Sequence, residues 1–173
     1  MTGIPWTQSD PEHLLAERAQ VGALAPELRW TEKLSYRARD GLAGFEGLLP
    51  AWCAPRPEPP GIGELLAGAR LMLRCIYTQA TPMIPPVIFP LELEIPLARR
   101  TDHAWHLNGD GSLCLLRAAA DWCPGETAVP LLVKASCWFI EYHLKDRGLI
   151  EKMTDSGIAC DESLDSMLGS LGC

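Results

Sequence analysis

The sequence predicts an α+β fold, and this fold class follows from three patterns. A capped helix start lies at residues 9–12, a half-buried strand pattern at 69–78, and a helical apolar repeat at 129–144. Helix, four antiparallel strands, a long functional loop and further helices follow one another along the chain. That order is typical of the α+β class.

The first helix is predicted to begin around Ser9 and to end near Val21–Leu24. Ser9 can cap the helix, Pro11 suits its first turn, and Glu12 lies three residues after the cap. Pro26 cannot continue the helix, so the chain is expected to leave it there.

Four strand-like segments come next. Alternation of apolar and polar residues is clearest in the third segment, where apolar residues alternate with Arg70 and Arg74. The proline-rich residues 55–61 cannot join a ladder and are expected to form a loop. The predicted strands are Leu28–Tyr36, Phe45–Trp52, Ala69–Thr78 and a fourth that begins at Val87–Phe89 or lies further on at Leu91–Ile95.

The helical repeat after Pro124–Thr127 predicts the strongest helix of the chain, which Gly148 should end. A single domain of residues 1–173 is expected, with a core of about 9–150. Residues 151–173 are expected to form an acidic extension in which Asp161 caps a short helix.

Composition limits the classes of function. Hydrophobic residues make up 47% and charged residues 21%, which favours a folded core over disorder. The net charge of -7 argues against nucleic acid as a partner, because phosphate binding needs a basic field. No apolar stretch approaches the roughly 20 residues that span a bilayer, and the first residues lack the features of a secretory signal. We therefore expect a cytoplasmic protein without a membrane partner, whose seven cysteines are mostly free thiols.

Cys114 is the strongest candidate for chemistry. It follows an Asn-Gly-Asp-Gly run at residues 108–111, which predicts a turn and places the thiol at the mouth of a loop. His106 and Asn108 lie a few residues upstream, where they can fold back beside the sulfur. Such an arrangement suits a cysteine that carries an acyl group as a thioester.

The region from His106 to the helix after Pro124 resembles the active site of ubiquitin-conjugating enzymes. That family has His-Pro-Asn, a glycine-containing turn, an apolar residue, the catalytic Cys and Leu, and then Trp-x-Pro about eight residues after the Cys. The matching segments here are His106-Leu107-Asn108, Gly111-Ser112-Leu113-Cys114-Leu115 and Trp122-Cys123-Pro124. The resemblance spans about residues 9–150 and is firm in 106–140. It implies the family fold, with an N-terminal helix, a four-stranded antiparallel meander, an active-site loop and C-terminal helices.

Two departures distinguish this chain from the eukaryotic family. Leu107 replaces the central proline, and the step from Asn108 to Cys114 is about two residues shorter. Together with the composition, these changes resemble the bacterial branch, which works in ubiquitin-like conjugation operons that include anti-phage systems. The resemblance implies three partners: a ubiquitin-like modifier, an activating enzyme, and a protein target such as a cyclic-nucleotide synthase. It implies no cofactor and no metal.

The resemblance also suggests roles for individual residues. Cys114 would receive the modifier by transthiolation, and the Asn108 amide would donate a hydrogen bond to the oxyanion or serve only as a turn residue. His106 would support the loop or take over part of the Asn108 role. Supporting candidates are Asp110 and Asp121, which could orient an incoming amine or be solvated loop charges, and Trp122, which is expected to brace the loop by packing.

Three other functions also fit parts of the sequence. An inactive conjugating-enzyme fold could act as a binding scaffold, as the changed Leu107 and the short loop suggest. A zinc site at His103, His106, Cys114 and Cys123 lacks paired-cysteine spacing. A redox turn at Cys123 lacks its second cysteine.

Overall fold

The computed structural model describes residues 5–37, 39–118 and 121–172 and has an α+β architecture. The four strands form one antiparallel sheet in the order β1-β2-β3-β4. They are β1 (Leu28–Tyr36), β2 (Arg39–Leu49), β3 (Leu71–Ile76) and β4 (Val87–Leu91). The α-helices in this part of the chain are α1 (Trp6–Ser9), α2 (Pro11–Leu24), α3 (Ile62–Leu66), α4 (Leu97–Arg100), α5 (Val129–Asp146) and α6 (Asp165–Gly169). Short 3-10 turns occupy His103–Trp105, Glu162–Leu164 and Ser170–Gly172.

The hydrophobic core joins one face of the sheet to α5. Phe45 faces Cys75 and Leu49 faces Leu71 across the β2–β3 ladder, and all four side chains are buried. On α5, Leu132 and other apolar side chains belong to the same cluster. Burying such side chains removes apolar surface from water, which is the main driving force for this fold.

The N-terminal cap differs from the prediction. Ser9 already belongs to α1 and its hydroxyl donates to the Trp6 carbonyl, so it cannot cap α2. The cap is Asp10, whose Oδ1 accepts a hydrogen bond from the His13 N–H at 3.0 Å. Pro11 occupies the first turn, as predicted, and the helix ends at Leu24.

The strand bounds are confirmed for β1 and corrected elsewhere. β2 starts at Arg39 instead of Phe45, because its glycine-containing first half pairs with β1 in a hairpin, and it ends at Leu49 before a proline. β3 is shorter than predicted by two residues at each end. The fourth strand begins at Val87, so the alternative at Leu91–Ile95 was wrong.

Two predicted helices lie in the C-terminal half. The apolar repeat is helical, and α5 begins at Val129, after a turn at residues 124–125. Asp161 accepts a hydrogen bond from the Ser163 N–H at 2.8 Å and caps the start of the short terminal helices, as predicted.

Residues after 150 also enter the hydrophobic core. Met153, Ile158 and Leu168 are buried in the same cluster as the sheet. Arg56 ties this segment down, since its guanidinium donates to both carboxylate oxygens of Asp165 and to the Ile158 carbonyl. The acidic C-terminal segment is therefore packed against the rest of the fold.

Within the described ranges, none of the helices combines the length and apolar character needed to cross a bilayer. The six described cysteines are all free thiols.

Candidate active site

Cys114 lies at the end of a small β-hairpin beside the main sheet. Leu107 and Leu113 form an isolated antiparallel bridge, and the Cys114 N–H donates to the His106 carbonyl at 2.9 Å. The Leu113 N–H donates to the Ile88 carbonyl at 2.8 Å, which fastens the hairpin to β4. Both leucines are buried while the Cys114 side chain is exposed. The backbone around the thiol is thus fixed, and the sulfur itself faces solvent.

The predicted turn closes this hairpin. Gly111 donates its N–H to the Asn108 carbonyl, and Asn108 donates its own to the Ser112 carbonyl, both at 2.8 Å. Gly111 has a φ of 88°, a conformation that glycine adopts without strain. The Asn-Gly-Asp-Gly run therefore forms the tight return that brings His106 back beside Cys114.

The Cys114 thiol separates two clefts. The larger has a volume of about 400 Å³, and the smaller one of about 230 Å³. Residues around the larger cleft include His106, Asp121, Lys134, Asp155 and Cys160. Residues around the smaller cleft include Asn108, Pro86, Leu116 and Leu131. His106 therefore lines one of these clefts and Asn108 the other, each together with Cys114.

The His106 imidazole lies in the larger cleft at the edge of solvent. Burial lowers its pKa from the ordinary value, Asp155 opposes this change, and the Arg117 cation adds to it. The lowered pKa favours the uncharged imidazole at neutral pH, which donates one hydrogen bond and accepts another. Its backbone has a φ of 49°, which the hydrogen bond from Cys114 to the His106 carbonyl helps to hold.

The Asn108 amide is engaged inside the hairpin. Its Nδ2 donates to the Ser112 hydroxyl at 2.9 Å and approaches the Leu113 carbonyl at 3.4 Å. To donate to an oxyanion on Cys114, this amide would have to give up one of these contacts. In the described conformation Asn108 supports the turn that carries the thiol.

Asp110 lies away from the sulfur and lines neither of the two clefts beside it. Its Oδ1 accepts hydrogen bonds from the Ser112 N–H at 3.0 Å and hydroxyl at 2.6 Å, while its Oδ2 accepts from the Tyr36 hydroxyl at 3.0 Å. Burial raises the pKa of Asp110, but the hydrogen bonds from Ser112, Tyr36 and Arg37 outweigh it and the pKa is lowered. Asp110 thus clamps the hairpin to the end of β1.

Asp121 and Trp122 support the segment that follows Cys114. Asp121 lines the larger cleft, and its Oδ2 accepts from the N–H groups of Arg117 and Ala118, each at 3.1 Å. Trp122 is buried and its Nε1 donates to the Pro82 carbonyl at 2.8 Å. Trp122 therefore joins this segment to the loop between β3 and β4, and its bracing role stays a prediction.

The sequence analysis missed the far side of the larger cleft, which residues 153–160 form together with Glu141. Asp155 brings a further carboxylate to the cleft, and its carbonyl accepts a hydrogen bond from the Arg117 guanidinium at 2.8 Å. Glu141 offered a signal, since a carboxylate within the apolar repeat of a helix must find buried donors. Its partners could not be read from the repeat.

No group of three or more His, Cys, Asp or Glu side chains in residues 5–37, 39–118 and 121–172 is arranged to hold a metal ion. Comparisons with protein-family models, with curated proteins and with solved structures gave no match.

Proposed function

We propose that this chain is a ubiquitin-conjugating-type acyltransferase that carries a ubiquitin-like protein as a thioester on Cys114. The observation that supports this best is the placement of an exposed thiol between two clefts on a hydrogen-bonded hairpin. A carrier must accept an acyl group and later present it to a second nucleophile. Because Cys114 lines both clefts, the acyl chain can occupy one cleft while the attacking group approaches through the other.

The proposed reaction has two steps. In the first, the Cys114 thiolate attacks the thioester of a charged activating enzyme, and that enzyme's thiolate leaves. In the second, a neutral lysine amine of the target attacks the Cys114 thioester, an amide bond forms, and the Cys114 thiolate leaves. The amine loses one proton to a base during the second step.

The neighbouring side chains can assist this transfer. Asp121 and Asp155 line the larger cleft beside the cationic Arg117 and Lys134, and either carboxylate can accept a hydrogen bond from an approaching amine. His106 is the uncharged imidazole in the same cleft and can accept a proton. Asn108 supports the hairpin and becomes an oxyanion donor only if its contacts with Ser112 and Leu113 rearrange.

The test is to incubate the protein with ATP, a bacterial activating enzyme and the ubiquitin-like protein which that enzyme charges. We expect a covalent adduct that a reducing agent removes, and its loss in Cys114→Ala. Cys123→Ala and Cys160→Ala are the matched controls, because both thiols are exposed like Cys114. An adduct that persists in Cys114→Ala would exclude the proposal.

A second candidate is a binding scaffold that has the conjugating-enzyme fold without the activity. The engagement of the Asn108 amide within the hairpin favours it, because its Nδ2 already donates to Ser112 and approaches the Leu113 carbonyl. Binding of the modifier without any thioester, equal for the parent protein and Cys114→Ala, would support this candidate.

A cytoplasmic role in anti-phage defence, with a cyclic-nucleotide synthase as the target, is the pathway suggested by the bacterial resemblance.

A further inference from the structure

The segment of residues 153–160, here named the C-terminal wall, lines the larger cleft together with Cys114. All of its residues except Ile158 line the cleft, and Ile158 points into the core instead. The Arg117 guanidinium donates to the Asp155 carbonyl at 2.8 Å and so joins the wall to the segment after Cys114. The position of the wall therefore sets the width of the cleft at the sulfur.

Glu141 holds the C-terminal wall through hydrogen bonds to Thr154 and Ile158. The Glu141 side chain is buried, with 2% of the residue exposed, and belongs to α5. Its Oε2 accepts from the Thr154 N–H at 2.6 Å, and its Oε1 accepts from the Thr154 hydroxyl at 2.7 Å and the Ile158 N–H at 2.8 Å. Hydrogen bonds to a carboxylate are stronger than those between neutral groups, and they strengthen in a buried site.

A second contact holds the same end of the wall. Arg56 donates to the Ile158 carbonyl from Nε at 3.2 Å and from Nη2 at 2.8 Å. The two backbone polar groups of Ile158 are thus bonded to Glu141 and Arg56, which lie on other elements of the fold. Residues 155–157 remain between two fixed points and face the cleft.

We infer that Glu141 is a positioning residue for Cys114, which acts by holding the C-terminal wall at the width that an acyl chain on the sulfur requires. The effect on thiol accessibility is independent of any reaction. The effect on acyl transfer rests on the function proposed above. Glu141 itself does not contact the reacting atoms in this role.

Glu141→Gln tests this role with little change in volume. The amide keeps one oxygen but presents an N–H₂ group where the second carboxylate oxygen accepted a hydrogen bond. At least one of the N–H groups of Thr154 and Ile158 then loses its acceptor, and the wall opens more often. We expect amide hydrogen exchange at these two positions to accelerate by about tenfold or more.

The matched control is Glu17→Gln. Glu17 is also a fully buried carboxylate, which accepts from the Tyr77 hydroxyl and, at 2.8 Å, from the Ala128 N–H. It lines neither cleft beside Cys114. Both donors meet the same oxygen, Oε1, which the amide can retain, so this variant should leave exchange in the wall unchanged.

The first measurement needs no partner protein. Alkylation of Cys114 by iodoacetamide and by a bulky maleimide is followed by peptide mass spectrometry, which separates Cys114 from the other cysteines. We expect Glu141→Gln to change the ratio of the two rates at Cys114 by about threefold or more, because a wider cleft favours the larger reagent. Glu17→Gln should leave the ratio unchanged. An unchanged ratio in Glu141→Gln, with accelerated exchange in the wall, would overturn the inference.

A Thr154 pair covers the case in which Glu141→Gln does not fold. Thr154→Val removes the hydroxyl donor and should shift the alkylation ratio in the same direction as Glu141→Gln. Thr154→Ser keeps the donor and should leave the ratio as it is in the parent protein.

The second measurement is single-turnover transfer from the charged thioester to free lysine. Slower transfer in Glu141→Gln with normal charging supports positioning. Absence of charging in the parent protein would contradict the proposed function, while the alkylation result would still decide the inference.

Discussion

The hairpin of residues 106–114 and the C-terminal wall border the same sulfur, but they are held by different kinds of hydrogen bond. Within the hairpin, the bonds join residues close in sequence, as between Cys114 and His106. The wall is held by Glu141 and Arg56, which lie on other elements. The hairpin therefore carries most of its geometry in its own sequence, and the wall depends on the whole fold.

The two regions also use carboxylates in opposite electrostatic settings. Asp110 clamps the hairpin near the surface, where a third of its side chain is exposed, and its pKa is lowered. Glu141 clamps the wall from the interior, where burial raises its pKa despite the bonds from Thr154 and Ile158. The difference teaches that a similar number of donors stabilises an exposed carboxylate but only partly offsets the desolvation of a buried one.

The largest effect should come from breaking the wall with Glu141→Ala. The substitution leaves buried donors of Thr154 and Ile158 without an acceptor, and we expect the free energy of unfolding to fall by about 3 kcal/mol. Urea denaturation followed by tryptophan fluorescence measures this change. A loss no greater than that of an exposed carboxylate, such as Glu64→Ala, would show that the wall is not held by Glu141.

Breaking the hairpin clamp with Asp110→Ala should have a smaller effect. Ser112 and Tyr36 lose a shared acceptor, but solvent can replace part of it, so we expect a loss of about 1 kcal/mol. The same denaturation experiment checks the value, with Asp40→Ala as a control on the neighbouring strand. A loss as large as that of Glu141→Ala would contradict the difference drawn between the two regions.

The pH dependence of stability should have opposite signs for the two clamps. The folded pKa of Glu141 is raised above 4.5, so its favourable contribution is complete below pH 4.5 and is lost as the pH rises through the folded value. The folded pKa of Asp110 is lowered below 3.8, so its contribution is present above pH 3.8 and is lost as the pH falls through the folded value.

Glu141→Gln and Asp110→Asn separate these contributions. Between pH 3 and 7, the first variant should reduce the decline in unfolding free energy with rising pH, and the second should reduce the loss on acidification. Denaturant midpoints measured at several pH values test both. Shifts of the same sign in the two variants would be inconsistent with the opposite settings of the carboxylates.

The smallest effect is expected for Arg37→Ala. Its guanidinium lies 3.5 Å from the Asp110 carboxylate, but its side chain is 75% exposed, and such an ion pair contributes less than about 0.5 kcal/mol. Thermal unfolding at low and high salt measures this contribution. A large, salt-sensitive loss would mean that the clamp depends on charge rather than on the hydrogen bonds of Ser112 and Tyr36.

The sequence predicts features set by neighbouring residues better than features set by contacts between distant parts of the chain. β1 was predicted with its observed bounds because its alternation is local, and the turn before Cys114 was predicted because Asn and Gly set its backbone. The short helix α3 was missed, since five residues carry too little periodicity to recognise. The cap of α2 was placed one residue early because both Ser9 and Asp10 can cap a helix.

The candidate site was predicted less completely than the fold. His106 and Asn108 were expected beside Cys114, and each lines a cleft with it. Sequence spacing could not show that Asp110 turns toward Tyr36, because that contact joins residues far apart in the chain. The same limit hid the contacts of Glu141 with the wall, which depend on how the chain returns after α5.

The packing of Glu141 has a consequence for attempts to shorten this protein. A chain cut after residue 150 would remove the hydrogen-bond donors of Glu141 and would uncover the part of the core that Met153, Ile158 and Leu168 bury. Arg56 would lose Asp165 and the Ile158 carbonyl in the same step. We therefore expect the shortened chain to aggregate or to be degraded, although it would retain every strand of the sheet and the cysteine itself.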